Sequence, residues 1–206
     1  MIKAILFNTE MVRAILEGRK TVTRRVVKPQ FPVYRSGEED SFAEIEPWGT
    51  HSFLGGHKNH PSAGTVLNPP YEAGDILYVR EAFAKIHDAT GFPTSSSVSD
   101  AVHYVYRADF TAEDAVPIKW RPSIHMPKEA ARIFLRVTDV RVERLQHISG
   151  EGAIAEGCNA AVPILEFKRI WDNTIKPDDI DLYGWSANPW VWVISFERCE
   201  RPGVVE

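Results

Sequence analysis

Cysteine is scarce in this chain. Only Cys158 and Cys199 occur, and not as CxxC, so there is no disulfide framework and no thiolate metal knuckle. That usage fits a reducing compartment, and both thiols are read as unreactive. Long apolar runs are missing too: nothing approaches the roughly 18 consecutive apolar residues that a spanning helix needs. The opening stretch, "MIKAILFNTEMVRAILEGRK", has a faint look of a secretory signal. Asn8, Glu10 and Arg13 break it, and no small-residue cleavage site follows. The expectation is a cytoplasmic protein without a membrane partner. No P-loop, GxSxG or dinucleotide fingerprint is present. His51, His57 and His60 cluster in sequence but lack cysteine and a fixed ligand spacing. No metal and no cofactor are expected.

What is present is an ordinary globular composition with an uneven charge. Hydrophobic residues make up 44 % and charged residues 25 % of the 206, enough for a full core in one domain over residues 1–206. The net charge is −4, yet residues 3–35 hold eight basic side chains against Glu10 and Glu17. That segment therefore carries +6 and the rest −10. The concentration peaks in "EGRKTVTRRVVKP", residues 17–29, where Arg19, Lys20, Arg24, Arg25 and Lys28 surround two threonines. A Debye length of about 8 Å confines the attraction of such a patch to its own vicinity. It suits a local anion better than a general nucleic-acid coat.

Strand and helix signals alternate irregularly along the chain. "IKAILF" reads as a short strand. "NTEMVRAILEG" reads as a helix capped by Asn8 or Thr9 and stopped by Gly18. "TVTRRVVK" has strand composition, with Thr21, Thr23 and Arg25 on one face and Val22, Arg24 and Val26 on the other. Residues 30–70 lose periodicity and gather Pro, Gly, Ser and His, the signature of a long loop excursion. "YEAGDILYVRE" gives a Gly-Asp turn and a strand, and a second excursion covers about 87–101. "AVHYVYRA", "RIFLRVTDVRVERL" and "NPWVWVISFER" read as strands. "SGEGAIAEG" predicts a short helix capped by Ser149 and ended by Gly157, with Gly152 as a weak point. "PILEFKRIWDNTI" is a strongly amphipathic helix. Strands dominate and helices are few, so the expected class is α+β, a small, mostly antiparallel β-barrel with short helices packed around it.

Four of these segments, in order, resemble the ASCH domain family. "EGRKTVTRR" fits its G-x-K-x-x-x-x-R signature at Gly18, Lys20 and Arg25. "YEAGDILYVRE", "VTDVRVERLQHIS" and "NPWVWVISFER" are similar to its later turn and strands. The long form with "WRPSIHMP" resembles members carried by phages and prophages. The resemblance implies a PUA-like fold with two loop insertions, and work on RNA or a modified nucleoside or nucleotide. Small bacterial members hydrolyse N4-acetylcytidine to cytidine and acetate with a lysine base, a threonine nucleophile and a glutamate proton donor. Those roles would fall on Lys20, Thr23 and Glu156.

Elementary chemistry sets conditions on that assignment. A lysine acts as base only when neutral, and its ordinary pKa near 10.4 leaves little amine at pH 7. Nearby Arg19, Arg24 and Arg25, and burial, would favour the neutral form. Strand alternation separates Lys20 from Thr23 unless Lys20 precedes the strand, in the turn after Gly18. Glu156 closes the predicted helix, where the macrodipole disfavours negative charge and suits a proton donor. Arg19, Thr21, Arg24, Arg25, Arg80 and Glu81 are the candidate substrate-binding residues; Glu81 has the alternative of pairing with an arginine. Trp185, Trp190 and Trp192 are read as core rather than a stacking platform. Three other functions stay open: a non-catalytic RNA-binding module, a ribonuclease and a phage-encoded interaction protein.

Overall fold

The computed structural model describes all residues except 29, 31–33, 37–38, 42, 49–51, 58–59, 88–101, 112–113, 115–116, 160 and 204–206. Within 34–67, and at 87 and 102, the description is of the backbone alone. Two compact units emerge, each discontinuous in sequence. The first takes residues 1–18, 76–136 and 198–206; the second takes residues 19–75 and 137–197. Together they are α+β with mostly antiparallel strand pairing, and no closed barrel forms among the described residues. No described helix is long and apolar enough to cross a membrane.

In the first unit β1 (Ile2–Leu6) runs parallel to β8 (Ile76–Arg80), with Ile2 opposite Ile76 and Leu6 opposite Arg80. The start of β11 (Phe134–Arg144) pairs antiparallel with β8 on its other side, Leu135 facing Leu77. Helix α1 (Thr9–Leu16) follows β1. The Asn8 side chain accepts a hydrogen bond from the Met11 N–H, and Val12, Ala14 and Ile15 are buried. It stops at Gly18, whose φ of 76° is a left-handed conformation that glycine adopts without a Cβ penalty. Strands β9 (Phe83–His87) and β10 (Val102–Tyr106) form an antiparallel ladder. The excursion expected at about 87–101 lies almost wholly outside the described residues. A core of Phe83, Met126, Ala130, Ala131 and Phe134 fills this unit.

The second unit holds β2 (Val22–Val26), antiparallel to β12 (Trp190–Cys199) with Thr23 opposite Ile194 and Arg25 opposite Trp192. The later part of β11 belongs here too, next to β12 in the strand order. Burial of Val191, Trp192, Val193 and Ile194 in succession shows that β12 is covered on both faces. Its continuous apolar run is that of a central strand. Helices α2 (Gly150–Ala155) and α3 (Pro163–Thr174) pack on one face through Ala153, Phe167 and Trp171 against Val191 and Val193, with Val22 and Val26 beside them. A short α4 (Ile180–Tyr183) follows.

Residues 30–70, expected as a loop excursion, contain strands instead. β3 (Tyr34–Ser36) pairs with β4 (Glu39–Ser41), and β5 (Ala43–Trp48), β6 (Ser52–His57) and β7 (His60–Leu67) form a three-stranded antiparallel sheet. Glycines at 55 and 56, the prolines at 47 and 61, and a register shift between residues 55 and 57 erase the period-two pattern that announces a strand.

Candidate functional site

The site grows from two chain turns laid side by side in the second unit. After Gly18 the chain passes through Arg19 and Lys20 before β2 begins at Val22. Lys20 makes an isolated antiparallel bridge with Glu156, the residue that closes α2. The Thr21 N–H donates to the Ala155 carbonyl at 2.9 Å, and the Phe196 N–H donates to the Thr21 carbonyl at 2.9 Å. α2 begins where sequence reading puts it, with the Ser149 hydroxyl accepting from the Gly152 N–H at 3.0 Å. Beyond Glu156 the chain turns through Gly157 at φ 96°.

Lys20 is buried to 3 % exposure and Glu156 to 6 %. Lys20 Nζ donates to the Val22 carbonyl at 2.7 Å, the Glu156 carbonyl at 2.9 Å and Glu156 Oε2 at 2.6 Å. An ammonium has three protons, so these acceptors use all of them. Lys20 thus lies ahead of the strand, the condition that alternation imposed. Burial pulls its ammonium below the ordinary lysine range; the Glu156 carboxylate opposes that pull and the Arg25 guanidinium adds to it.

Arg24 takes the other oxygen of the same carboxylate, its Nη1 donating to Glu156 Oε1 at 3.2 Å. Its Nη2 reaches Glu143 Oε2 at 3.3 Å. The Arg24 guanidinium lies 5.8 Å from the centre of the Phe167 ring, on the face where Val22 and Val26 meet the core. Its Nε is buried without a hydrogen-bond partner. Glu143 passes the network to the surface through Arg141, which donates to Glu143 Oε1 at 2.6 Å and to Asp139 at 3.2 Å. Sequence reading missed Glu143. The alternating Asp139, Arg141, Glu143 series, interleaved with Val140 and Val142, carries the signal: three charges on one strand face.

The opposite face of β2 carries Thr23 and Arg25. Thr23 is buried to 1 % exposure, and its hydroxyl is not among the three acceptors that surround Lys20. Arg25 is half-buried; burial lowers its pKa, with Glu156 and the Tyr71 phenol opposing. Tyr71 in turn is raised by burial and pulled down by Arg25. Tyr71 is a second residue that sequence reading passed over, because nothing in "PPYEAGD" separates it from an ordinary turn aromatic.

The basic strip is thus largely internal. Of its five cations, Lys20 and Arg24 are buried and Arg25 is half-buried, while Arg19 and Lys28 are exposed. Arg19 donates to the Gly157 carbonyl at 2.9 Å and Lys28 lies 4.9 Å from the Tyr183 ring centre. Thr21 is exposed.

Arg80 and Glu81 belong to the first unit, each with partners of its own. Arg80 Nε donates to the Met126 carbonyl at 2.9 Å, and its Nη2 donates to the Ile124 carbonyl, holding the "WRPSIHMP" segment. Glu81, 1 % exposed, accepts from Arg132 at both oxygens, 2.9 and 3.0 Å. Arg132 also binds Asp109 at 2.7 Å and lies 3.9 Å over the Tyr106 ring. Pairing with an arginine is therefore how Glu81 spends its acceptors, and the partner is Arg132.

Among the tryptophans, Trp192 is buried and Trp185 packs 6.2 Å from Phe167. Trp190 lies under the Arg144 guanidinium at 4.3 Å. Among the described residues no group of three His, Cys, Asp or Glu side chains is placed to hold a metal ion. Cys158, buried beside this network, has its thiol pushed up to about 11 by burial and by Glu166 and Glu156, the opposite of a reactive thiolate.

The second unit therefore joins Lys20, Glu156 and Arg24 directly, sets Thr23 and Arg25 on the adjoining strand face, and leaves Arg19 and Thr21 at the rim. No family model matches this chain, and neither does any curated protein or solved structure.

Proposed function

We propose that this protein is an ASCH-type, PUA-like module that binds RNA or a modified nucleoside or nucleotide, and that it hydrolyses the amide of an N4-acylated cytidine. The observation that carries the reading is the buried 2.6 Å contact between Lys20 Nζ and Glu156 Oε2. A proton transferred along that bond turns an ammonium and a carboxylate into an amine and a carboxylic acid. Those are the two protonation states that amide cleavage needs in one place. The transfer leaves the net charge of the pair unchanged, and burial of Lys20 favours it.

On substrate entry Lys20 gives up one of its present acceptors for the Thr23 hydroxyl, a rearrangement of the kind catalytic hydrogen bonds undergo on forming the bound complex. Its amine takes the hydroxyl proton as Thr23 Oγ1 attacks the acyl carbonyl. The C–N bond breaks as Glu156 gives its proton to the departing N4 amine, leaving an acyl-threonine and cytidine. Water then attacks the ester, losing a proton to the carboxylate of Glu156, and acetic acid departs as Lys20 returns its proton to Thr23 Oγ1, ionising to acetate in water. Arg25 and Tyr71 supply polar contacts on the Thr23 side of the strand, and Arg19 is the exposed cation closest in sequence to the pair.

The non-catalytic reading requires Lys20 to hold a phosphate, and a lysine whose three protons are spent inside the protein is poorly suited to that task. Incubation of the purified protein with N4-acetylcytidine, with cytidine followed by chromatography, tests the proposal. Turnover that disappears in Thr23→Val and Lys20→Ala is expected. Absence of turnover, with RNA affinity that falls steeply with salt and survives Thr23→Val, would replace hydrolysis by binding.

A further inference from the structure

Arg24 has no place in the chemistry just described, yet it is buried and holds two carboxylates. Three observations converge on it. Its two terminal nitrogens bind two different carboxylates, Glu156 and Glu143. Its Nε is left buried without a partner, so the site is not arranged to satisfy the guanidinium for its own sake. Gly152 lies against it: a Cβ there would stand 3.3 Å from Ile148, 3.4 Å from Arg24 Nη2 and 3.4 Å from the Ser149 hydroxyl. An interior helix glycine forgoes propensity, and here it faces Ile148, Ser149 and Arg24 together.

We propose that Arg24 is a positioning residue, fixing the Glu156 carboxylate with one oxygen turned to Lys20 and setting, through that carboxylate, which member of the pair keeps the proton. Glu156 is held at Oε1 by Arg24 and at Oε2 by Lys20, so its rotation is locked between a residue of β2 and one from the turn that precedes it. The charge of Arg24 also acts on the pair. A fixed positive charge on Glu156 competes with Lys20 for the carboxylate and favours loss of the lysine proton. Glu143 partly neutralises Arg24 and so works in the opposite sense. Arg25 from β2 and Cys158 beyond α2 also act on Lys20, and Arg141 faces Glu143 from β11. All are unchanged in the variants below.

This inference extends the hydrolase reading but has a readout of its own. With lysine side chains labelled with nitrogen-15, the Lys20 Nζ signal can be followed against pH in the whole protein, with no substrate present. Arg24→Met is expected to raise the pH at which Lys20 loses its proton by about one unit, a tenfold change in proton affinity. Glu143→Gln is expected to lower it. Arg24→Lys, which keeps the charge, is expected to restore a titration close to the parent. A purely structural role for Arg24 predicts no such opposition of sign. Equal titrations in all proteins overturn the inference, as do shifts in one direction for both Arg24→Met and Glu143→Gln. So does a lysine that stays protonated in every variant up to alkaline unfolding. If Arg24→Met does not fold, the direction of the Glu143→Gln shift decides alone. Failure of N4-acetylcytidine turnover with the opposed shifts present removes the hydrolase reading and leaves the positioning role standing.

Discussion

Replacing Glu156 by glutamine should unfold this protein more readily than replacing Lys20 by methionine, and the asymmetry follows from how the charges are shared. Glu156 is the counter-charge of two buried cations, Lys20 at 2.6 Å and Arg24 at 3.2 Å. In Glu156→Gln both keep their charge and lose this shared carboxylate, while Arg24 retains Glu143. Breaking a buried pair by removing one partner costs about 3–5 kcal/mol. For a chain of this size each kcal/mol moves the melting temperature by about 2–4 °C, so a fall of roughly 6–20 °C is expected. In Lys20→Met the stranded carboxylate still has Arg24, and the main loss is the hydrogen bonding of the Val22 and Glu156 carbonyls. That loss is worth about 1–3 kcal/mol. Urea unfolding followed by far-ultraviolet circular dichroism and by tryptophan fluorescence measures both costs, with coincidence of the two probes as the check on cooperativity. A Lys20→Met cost equal to or above that of Glu156→Gln would refute the shared-carboxylate argument. Costs below about 1 kcal/mol for both would show a solvated, surface-like pair.

The thiol of Cys158, raised to about 11 from an ordinary 9, binds its proton more tightly folded than unfolded. Its stabilising contribution is complete below pH 9 and is lost as pH rises from 9 toward 11; Cys158→Ser should flatten the alkaline fall in denaturation midpoint, and an unchanged slope would count against it. Gly152→Ala, a change that gains about 1 kcal/mol at an open helix position, is expected to gain nothing here because of Ile148 and Arg24; a melting temperature raised by several degrees would show that the space is not needed. Glu81→Gln should cost about 1.5–3 kcal/mol by weakening the two-point contact with Arg132 while leaving N4-acetylcytidine turnover in place. A selective loss of turnover in a stably folded variant would assign Glu81 to the substrate.

The sequence disclosed punctuation better than fate. Gly18, Ser149 and Gly157 mark the ends of α1 and α2 through steric and capping rules that act over a few residues. Val22–Val26 and Trp190–Cys199 follow from β-branched and aromatic content. Those rules also place Lys20 and Glu156 at the two chain reversals whose meeting makes the site, although the bridge between them is a long-range fact. Alternation separates Arg24 from Thr23 but does not say which face is buried. A stretch of five cations looked like a surface patch, since its counter-charges lie more than a hundred residues away in Glu143 and Glu156. The strands of residues 34–67 stayed hidden for a different reason: their glycines and prolines remove the alternation by which a strand is recognised.

Lys20 and Glu156 are separated by 136 positions in the chain. Contacts that close loops of that length are entropically expensive and form late. During synthesis, which proceeds from the N-terminus, the turn bearing Lys20 emerges long before the helix that ends at Glu156. Until that helix arrives, a lysine in this position lacks the carboxylate of Glu156, so the first third of the chain bears the cost of bringing it inward without that counter-charge. The pair is in this sense a completion signal. Its formation commits a half-made, lysine-exposed chain to the finished protein, and whatever the site does begins only when the late segment has docked.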